Sequence, residues 1–326
     1  MIPQHLTLTQ YQGRRVHVGI SGSIAAYKAI DVCRALQATG IETSAVLTAA
    51  GARFITKWSL GALGVNPVQT SMFSRDDSIF AHLEPGQNAS LMLVLPATAN
   101  TMAKLAAGIA DNMLTCQALA FPGPLLIVPA MNPNLWLSPA TEENVARLSR
   151  RENVRIMQPE SGEMACGDLG RGKLPPLLDI YFQALKSLSK QDLSGLKVLI
   201  SLGPTREFFD PVRFWSNPSS GMMGAALAVT AWIRGAEVRC VCGPTDVWLP
   251  GSVERQDVIT AREMHEACLD CWPDFDIGCL CAAVSDFRPK TAMTQKFKKA
   301  SASGFSVEFD SNPDILKALG ENKRTG

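Results

Sequence analysis

Two hydrophobic periods alternate along the chain. The run RRVHVGIS is short and β-rich; a glycine turn follows, then IAAYKAIDVCRALQATG, where Ile30, Cys33 and Leu36 recur at helical spacing until Gly40 stops the pattern. ETSAVLT, ASLMLVLPAT and GPLLIVPAM read as three more strands, with a helical pattern in NTMAKLAAGIADNML between the last two. Continuous apolar strands alternating with helices predict a parallel sheet covered on both faces. Around YFQALKSLSKQDLSG the composition turns polar and a fresh strand begins, which places a domain boundary near Gln191 and predicts domains over 1–190 and 191–326. The second half repeats the plan: LKVLISLGPT as strand and turn, SSGMMGAALAVTAWIRGA as a helix ending at Gly235, then strands in EVRCVCGPT and DIGCLCAAVSDF. The expected fold is α/β, two Rossmann-like three-layer domains with parallel sheets. Neither half carries GxGxxG after its first strand, so NAD is not supported.

Composition narrows the partner. The chain has 326 residues, enough for two cores, and its 19% of charged residues lies below the ~25% usual for soluble domains, which favours self-association. Lys and Arg number 31 against 30 acids, a net charge of +1, so no long-range field gathers nucleic acid or anionic membrane. A small-molecule partner is the default. The opening MIPQHLTLTQYQGRR has no apolar signal core, and the longest apolar runs are short and cut by proline, so the expected location is the cytoplasm. Nine scattered cysteines, an odd number, suit reduced thiols rather than a disulfide framework.

Several stretches offer chemistry. Ser21, Gly22 and Ser23 lie between a strand end and a helix start, either a phosphate cradle or an ordinary βα turn, and Thr48 ends the next strand. In LVLPATANT, Pro96 and Ala97 lead to Thr98, Asn100 and Thr101, which can cap a helix or hydrogen-bond a flat heteroaromatic ligand; VPAMN repeats the arrangement and ends at Asn132. His82 is one of four histidines, and a lone histidine is more often structural than catalytic. ESGEMACGDLGRGKL sets Cys166 among glycines, acids and an arginine, reading as an accessible thiol on a mobile loop. Cys268 and Cys271 fall on a helical pattern near His265, while the pairs Cys279/Cys281 and Cys240/Cys242 each fall on one face of an apolar strand, so all pack as small hydrophobes rather than as a zinc site. In the second half, Ser219, Ser220 and Gly221 open a helix as a candidate anion site. Lys296, Lys298 and Lys299 form either a solvated charge run or a loop that closes on a triphosphate.

Taken in order, GISGSIAAYK, LPATANTMAKLAAGIADNML, VPAMNPNLW and ESGEMACGDLGRG resemble the flavin-dependent cysteine decarboxylase family. GPTREFFDPVRFWSNPSSG, AAVSDFRPK, KFKK and NPDIL resemble the ligase domain fused to it in bacteria. The resemblance spans nearly all residues and implies coenzyme A biosynthesis. It implies a flavodoxin-like first domain that binds FMN, with Ser21, Gly22, Ser23 and Thr48 on the phosphate side and Pro96, Ala97, Thr98, Asn100 and Thr101 near the isoalloxazine. It further implies decarboxylation of 4'-phosphopantothenoylcysteine to 4'-phosphopantetheine, with His82 as the active-site histidine, Asn132 holding the substrate carboxylate and Cys166 in the substrate clamp. Loss of CO2 needs an electron sink; hydride removal from the thiol-bearing carbon creates one, and Cys166 would supply the proton that completes the cycle.

For the second domain the resemblance implies activation of 4'-phosphopantothenate by CTP and attack by the amine of L-cysteine. Asn217 would contact the acyl-cytidylate, Lys298 would aid its formation with Lys296 as the alternative, and Asp286 would lie at the nucleotide. Mg2+ would neutralise the triphosphate, with no protein ligand set assigned. Homo-oligomers built on trimers, up to a dodecamer, are implied as well. Two departures stand out: Met222 replaces the usual lysine of SSGKMG, and the chain ends at Gly326 before a GFAAET-like motif, which predicts an incomplete ligase domain with little or no ligation. A peptidyl-cysteine decarboxylase that stops at the enethiol, a flavin prenyltransferase and a non-catalytic flavin-binding regulatory subunit are the alternatives.

Overall fold

The structure, a computed structural model, describes residues 2–73, 80–165, 167–298 and 305–323. The chain forms two compact units, residues 1–188 and 189–326.

In the first unit the apolar runs become strands β1 (Arg15–Ile20) and β2 (Glu42–Leu47), followed by the two-residue β3 (Val68–Gln69), then β4 (Leu91–Ala97), β5 (Leu125–Pro129) and β6 (Val154–Ile156). Among the described residues they make one parallel sheet in the order β3-β2-β1-β4-β5-β6. All seven residues of β4 are buried, as a parallel strand covered on both faces requires. Without the short edge strand β3, the order is that of flavodoxin-like sheets, and the strand order reverses between β1 and β4, the position where such sheets place their ligand crevice.

The helices of this unit are α1 (Lys28–Gln37), α2 (Lys57–Ala62), α3 (Glu84–Gln87), α4 (Ala99–Ala107), α5 (Met113–Ala120), α6 (Pro133–Trp136), α7 (Pro139–Ser149) and α8 (Leu177–Leu188). Helix α1 packs against α8, and α4 against α7. The single helix expected over NTMAKLAAGIADNML is two. Gly108 adopts the left-handed conformation (φ 75°) that ends α4, and the Asn112 side chain accepts the Thr115 N–H to start α5.

The loop expected around Cys166 is largely an antiparallel hairpin, β7 (Glu160–Glu163) with β8 (Leu169–Lys173). Its sequence has no apolar alternation to announce strands. Docking holds it instead: the Met131 N–H donates to the Gly172 carbonyl (3.0 Å), and a side chain at Gly172 would collide with the Met131 carbonyl. Cys166 itself lies outside the described residues.

The second unit contains β9 (Lys197–Leu202), the hairpin of β10 (Arg206–Phe208) and β11 (Phe214–Ser216), then β12 (Glu237–Cys242), β13 (Glu254–Asp257), β14 (Ile277–Leu280), and the antiparallel pair β15 (Phe287–Pro289) and β16 (Phe309–Ser311). Its parallel sheet runs β13-β12-β9-β14, with α9 (Met222–Ile233) against β9 and β12, and α10 (Ala261–Cys271) packed with α11 (Ile315–Glu321). Cys240, Cys242, Cys268 and Cys271 are buried, and burial pushes the thiols up, that of Cys268 to about 12. Cys279 and Cys281 differ from expectation. Strand β14 stands at the sheet edge with Ile277 and Gly278 exposed, so both thiols are only half-buried. No helix among the described residues is long and apolar enough to cross a membrane.

Candidate functional site

The carboxyl ends of β1, β2, β4 and β5 gather the sequence-predicted residues on one edge of the first sheet, but many of their polar groups are already engaged. The Ser21 hydroxyl donates to the Pro96 carbonyl (2.7 Å) and accepts the Thr98 N–H (3.0 Å), bridging β1 to β4 where the strand order reverses. The Thr48 hydroxyl accepts the Gly51 N–H (3.0 Å), and a Cβ on Gly22 would strike that of Ala50, so the two loops touch only because residue 22 lacks a side chain. Thr98 caps α4 by accepting the Thr101 N–H (3.3 Å), and its hydroxyl also meets that of Thr101, which is buried; Asn100 is exposed, whereas Pro96 and Ala97 are buried in β4. Capping is thus realised at Thr98, and Ser23 caps the short 3-10 turn Ile24–Tyr27 that leads into α1.

A cavity of about 340 Å³ opens beside Ser23, lined also by Tyr27, Met131, Asn132, Met164 and Lys173. Asn132 caps α6, its Oδ1 accepting the Asn134 N–H (2.9 Å), while its Nδ2 donates to Asp168 Oδ2 (2.5 Å). The residue proposed for the substrate carboxylate is therefore tied to the tip of the hairpin that carries Cys166. That tip is a closed turn, with the Met164 N–H on the Asp168 carbonyl and the Gly167 N–H on that of Met164, both 2.9 Å. Asp168 was not anticipated, since an acid beside a glycine signals only a turn. His82 sits half-buried just before α3 and does not line this cavity; of the residues expected at the cofactor Ser23 does, whereas Ser21, Gly22, Thr48 and the stretch from Pro96 to Thr101 do not.

The fit to a flavin is favourable on this chain's own features. The sheet has its reversal point between β1 and β4, a mostly apolar cavity opens on the same edge between the segments that follow β1 and β5, and glycine at position 22 keeps the β1 loop narrow.

In the second unit Asp286 lines a cavity of about 470 Å³ together with Ser201, Ser285, Asn312 and Asp314. The Ser285 hydroxyl is buried with no hydrogen-bond partner among the described residues, a polar group with capacity for a ligand, and sequence reasoning missed it. Asn217 does not line the cavity, but its Nδ2 donates to the Val284 carbonyl (3.0 Å), one residue from Ser285. Lys296 and Lys298 are exposed and stand apart from it; Lys299 lies outside the described residues. Between the two lysines, the Phe297 N–H donates to Asp210 Oδ2 (3.1 Å) and its carbonyl accepts from Arg213 (2.7 Å). Burial raises the Asp210 carboxyl, yet the N–H groups of Val212, Phe297 and Arg213 with the Arg213 guanidinium hold it below the usual range. Ser219 and Ser220 accept the N–H groups of Gly221 and Met222, so the hydroxyls of the expected anion site are engaged locally, ahead of a helix whose N-cap is Gly221. Among the described residues no group of three or more His, Cys, Asp or Glu is placed to hold a metal.

Residues 5–188 match the Flavoprotein family, and residues 193–326 match the DNA/pantothenate metabolism flavoprotein C-terminal domain. The chain is 40% identical to the coenzyme A biosynthesis bifunctional protein CoaBC of Vibrio vulnificus, with 95% of this chain and 79% of that protein covered. The chain belongs to the CoaBC family. CoaBC of Escherichia coli K12 is 39% identical (94% and 76% covered), and that of Bacillus subtilis 168 is 39% identical (95% and 77%). Among solved structures, the FMN-dependent cysteine decarboxylase SpaF is 31% identical, with 54% of this chain and 97% of that one covered and a TM-score of 0.46. As a CoaBC protein the chain is a bifunctional flavoprotein enzyme of coenzyme A biosynthesis.

Membership gives the hairpin contact a measurable consequence. Gly172→Ala is expected to push β8 off the Met131 carbonyl and so displace Asp168 from Asn132, lowering CO2 release at saturating substrate by about 10-fold or more with the circular dichroism of the sheet unchanged. Wild-type turnover in that variant would show that the docked hairpin is dispensable.

Proposed function

We propose that the first unit decarboxylates 4'-phosphopantothenoylcysteine to 4'-phosphopantetheine with FMN, and that the second unit is a domain of the CTP-dependent phosphopantothenate-cysteine ligase type, whose reaction joins 4'-phosphopantothenate to L-cysteine. The observation that carries the decarboxylase reading is the convergence of Ser23, Asn132 and the Cys166 hairpin on one cavity at the carboxyl edge of the sheet. FMN, when bound, supplies reversible hydride chemistry at the thiol-bearing carbon, which makes loss of CO2 possible. Its holding residues are Ser21, Gly22, Ser23 and Thr48 toward the phosphate and Pro96, Ala97, Thr98, Asn100 and Thr101 toward the ring system.

Asn132 binds the substrate carboxylate through Nδ2, exchanging its bond to Asp168 for one to substrate, and orients the carboxylate until CO2 leaves. His82 acts as the active-site histidine, and Cys166 gives the proton that completes the product. The hairpin limits water access to the cavity that it lines through Met164 and Lys173.

In the second unit Asp286 faces the nucleotide, Lys298 or Lys296 stabilises charge on the phosphates, and Asn217 meets the activated acyl group. Asp286 and Asp314 on one cavity are an oxygen donor pair suited to Mg2+ carried by a triphosphate. Assembly in the cytoplasm as trimers at the flavin sites, up to a dodecamer, completes the reading.

The test is mass spectrometry after mixing the flavin-loaded protein with 4'-phosphopantothenoylcysteine. Loss of CO2 alone is expected, and unchanged substrate with flavin bound would overturn the reading. Asn132→Ala should lower kcat/KM for that substrate by about 10²-fold, since an oriented contact to the departing carboxylate disappears; an unchanged kcat/KM would remove Asn132 from the site.

A further inference from the structure

One fully internal polar chain of the first unit has no part in the chemistry above. Ser44 in β2, His17 in β1, Gln117 in α5 and Gln69 in β3 are all buried, and in that order each meets the next. His17 Nδ1 lies 2.8 Å from the Ser44 hydroxyl and Nε2 lies 2.9 Å from Gln117 Oε1. Gln117 Nε2 donates to Gln69 Oε1 (2.6 Å) and to the Ala81 carbonyl (3.2 Å), and Gln69 Nε2 donates to the same carbonyl (2.9 Å).

The direction of every bond follows from its last member. A backbone carbonyl only accepts, so both amide NH2 groups face Ala81. That turns Gln117 Oε1 toward His17, which places the ring proton on Nε2 and leaves Nδ1 to accept from Ser44. Each buried polar group in the chain is thereby partnered, an arrangement that specifies one geometry rather than several.

Ala81 is itself buried and immediately precedes His82. On the other side of His82, α3 packs against α5, where a Cβ added at Gly86 would come within 3.7 Å of Gln117 Cβ. The Leu83 and Glu84 N–H groups close the turn on the Phe80 carbonyl at 2.8 and 3.1 Å. Gln117 thus holds the backbone before His82 and belongs to the helix that packs against α3 after it, while Gln69 reinforces the first contact.

We infer that Gln69 and Gln117 are positioning residues for His82, fixing the turn that presents the imidazole by a two-donor clamp on the Ala81 carbonyl anchored through His17 to the centre of the sheet. The inference rests on the reading of His82 as the active-site histidine. A polar core of this cost is otherwise unneeded, because an apolar set of equal volume would fill the same space without four elements having to meet in register.

A double-mutant cycle on the full-length flavin-loaded protein tests it: Gln69→Met, His82→Asn and the pair, each assayed for kcat and KM of decarboxylation. Gln69→Met keeps the volume and removes one donor. It is expected to lower kcat by about 10- to 100-fold, the effect of a misplaced catalytic group, with KM nearly unchanged, and to have no further effect once His82 is asparagine. An equal loss on both backgrounds would overturn the inference, because the clamp would then act on something other than His82. Full activity of Gln69→Met beside an inactive His82→Asn would overturn it too, while leaving the His82 reading intact. Full activity of His82→Asn would remove that reading and the inference with it. Should Gln69→Met fail to accumulate as folded flavoprotein, Gln117→Met enters the same cycle with the same expected outcomes.

Discussion

Cys166→Ser is expected to release CO2 from 4'-phosphopantothenoylcysteine and yet to form 4'-phosphopantetheine about 10²- to 10⁴-fold more slowly, the range set by loss of one general acid. The substitution exchanges sulfur for oxygen and leaves the hairpin's own supports in place: the turn bonds between Met164, Gly167 and Asp168, and the Asn132–Asp168 contact. Substrate therefore still binds and still loses its carboxylate. A serine hydroxyl is far less acidic than a thiol, so the final proton is not delivered, and the oxidised enethiol, two hydrogens lighter than the normal product, accumulates. Mass spectrometry separates the two products directly. The normal product at the wild-type rate would take the acid role away from Cys166.

The second large effect concerns stability and pH. Burial in β1 lowers the His17 pKa from 6.5 to about 4, with the Gln117 hydrogen bond opposing that shift and the Arg15 charge reinforcing it. The folded value lies below the unfolded one, so the unfolded chain takes up the proton first as pH falls. The stability associated with neutral His17 is complete above about pH 6.5 and is lost progressively toward pH 4. Its full extent is about 3 kcal/mol, of which about 2 kcal/mol has gone at pH 5. Denaturation by urea at pH 7 and pH 5 should show a smaller difference between the two pH values in His17→Gln than in the wild type, whatever that substitution does to stability at either pH. Equal differences would mean that His17 does not titrate with folding.

The candidate site was partly legible for two separate reasons. Motif order pointed to Asn132, His82 and the Cys166 stretch, of which Asn132 and the hairpin line the cavity and His82 does not, and helix chemistry pointed to Thr98 and Asn132 as caps, which they are. Periodicity did not reveal the hairpin of β7 and β8, because glycines and charged residues alternate there without an apolar face; it docks on the segment after β5 through Met131 and Gly172. Ser285 was passed over for a similar reason. A serine in AAVSDF carries no local sign that its hydroxyl will be enclosed beside Asp286 with no partner among the described residues.

The sequence by itself determined the parallel α/β plan of both units. β1, β2, β4 and β5 are runs apolar enough to be buried on both faces, and of the residues read at helical spacing in α1, Cys33 and Leu36 are buried and Ile30 is half-buried. It also determined local ends, as at Gly108 and Asn112, where the glycine and the asparagine act on their own backbone. Only the tertiary structure decided which hydroxyls were already engaged, as with Ser21 on the Pro96 carbonyl, 75 residues away. It alone brought Gln117 to Gln69, 48 residues distant, and to His17, 100 residues distant. Periodicity reports the face on which a side chain lies. The partner it meets there depends on the order in which strands assemble, and that order is set by packing of the whole sheet rather than by any local run of residues.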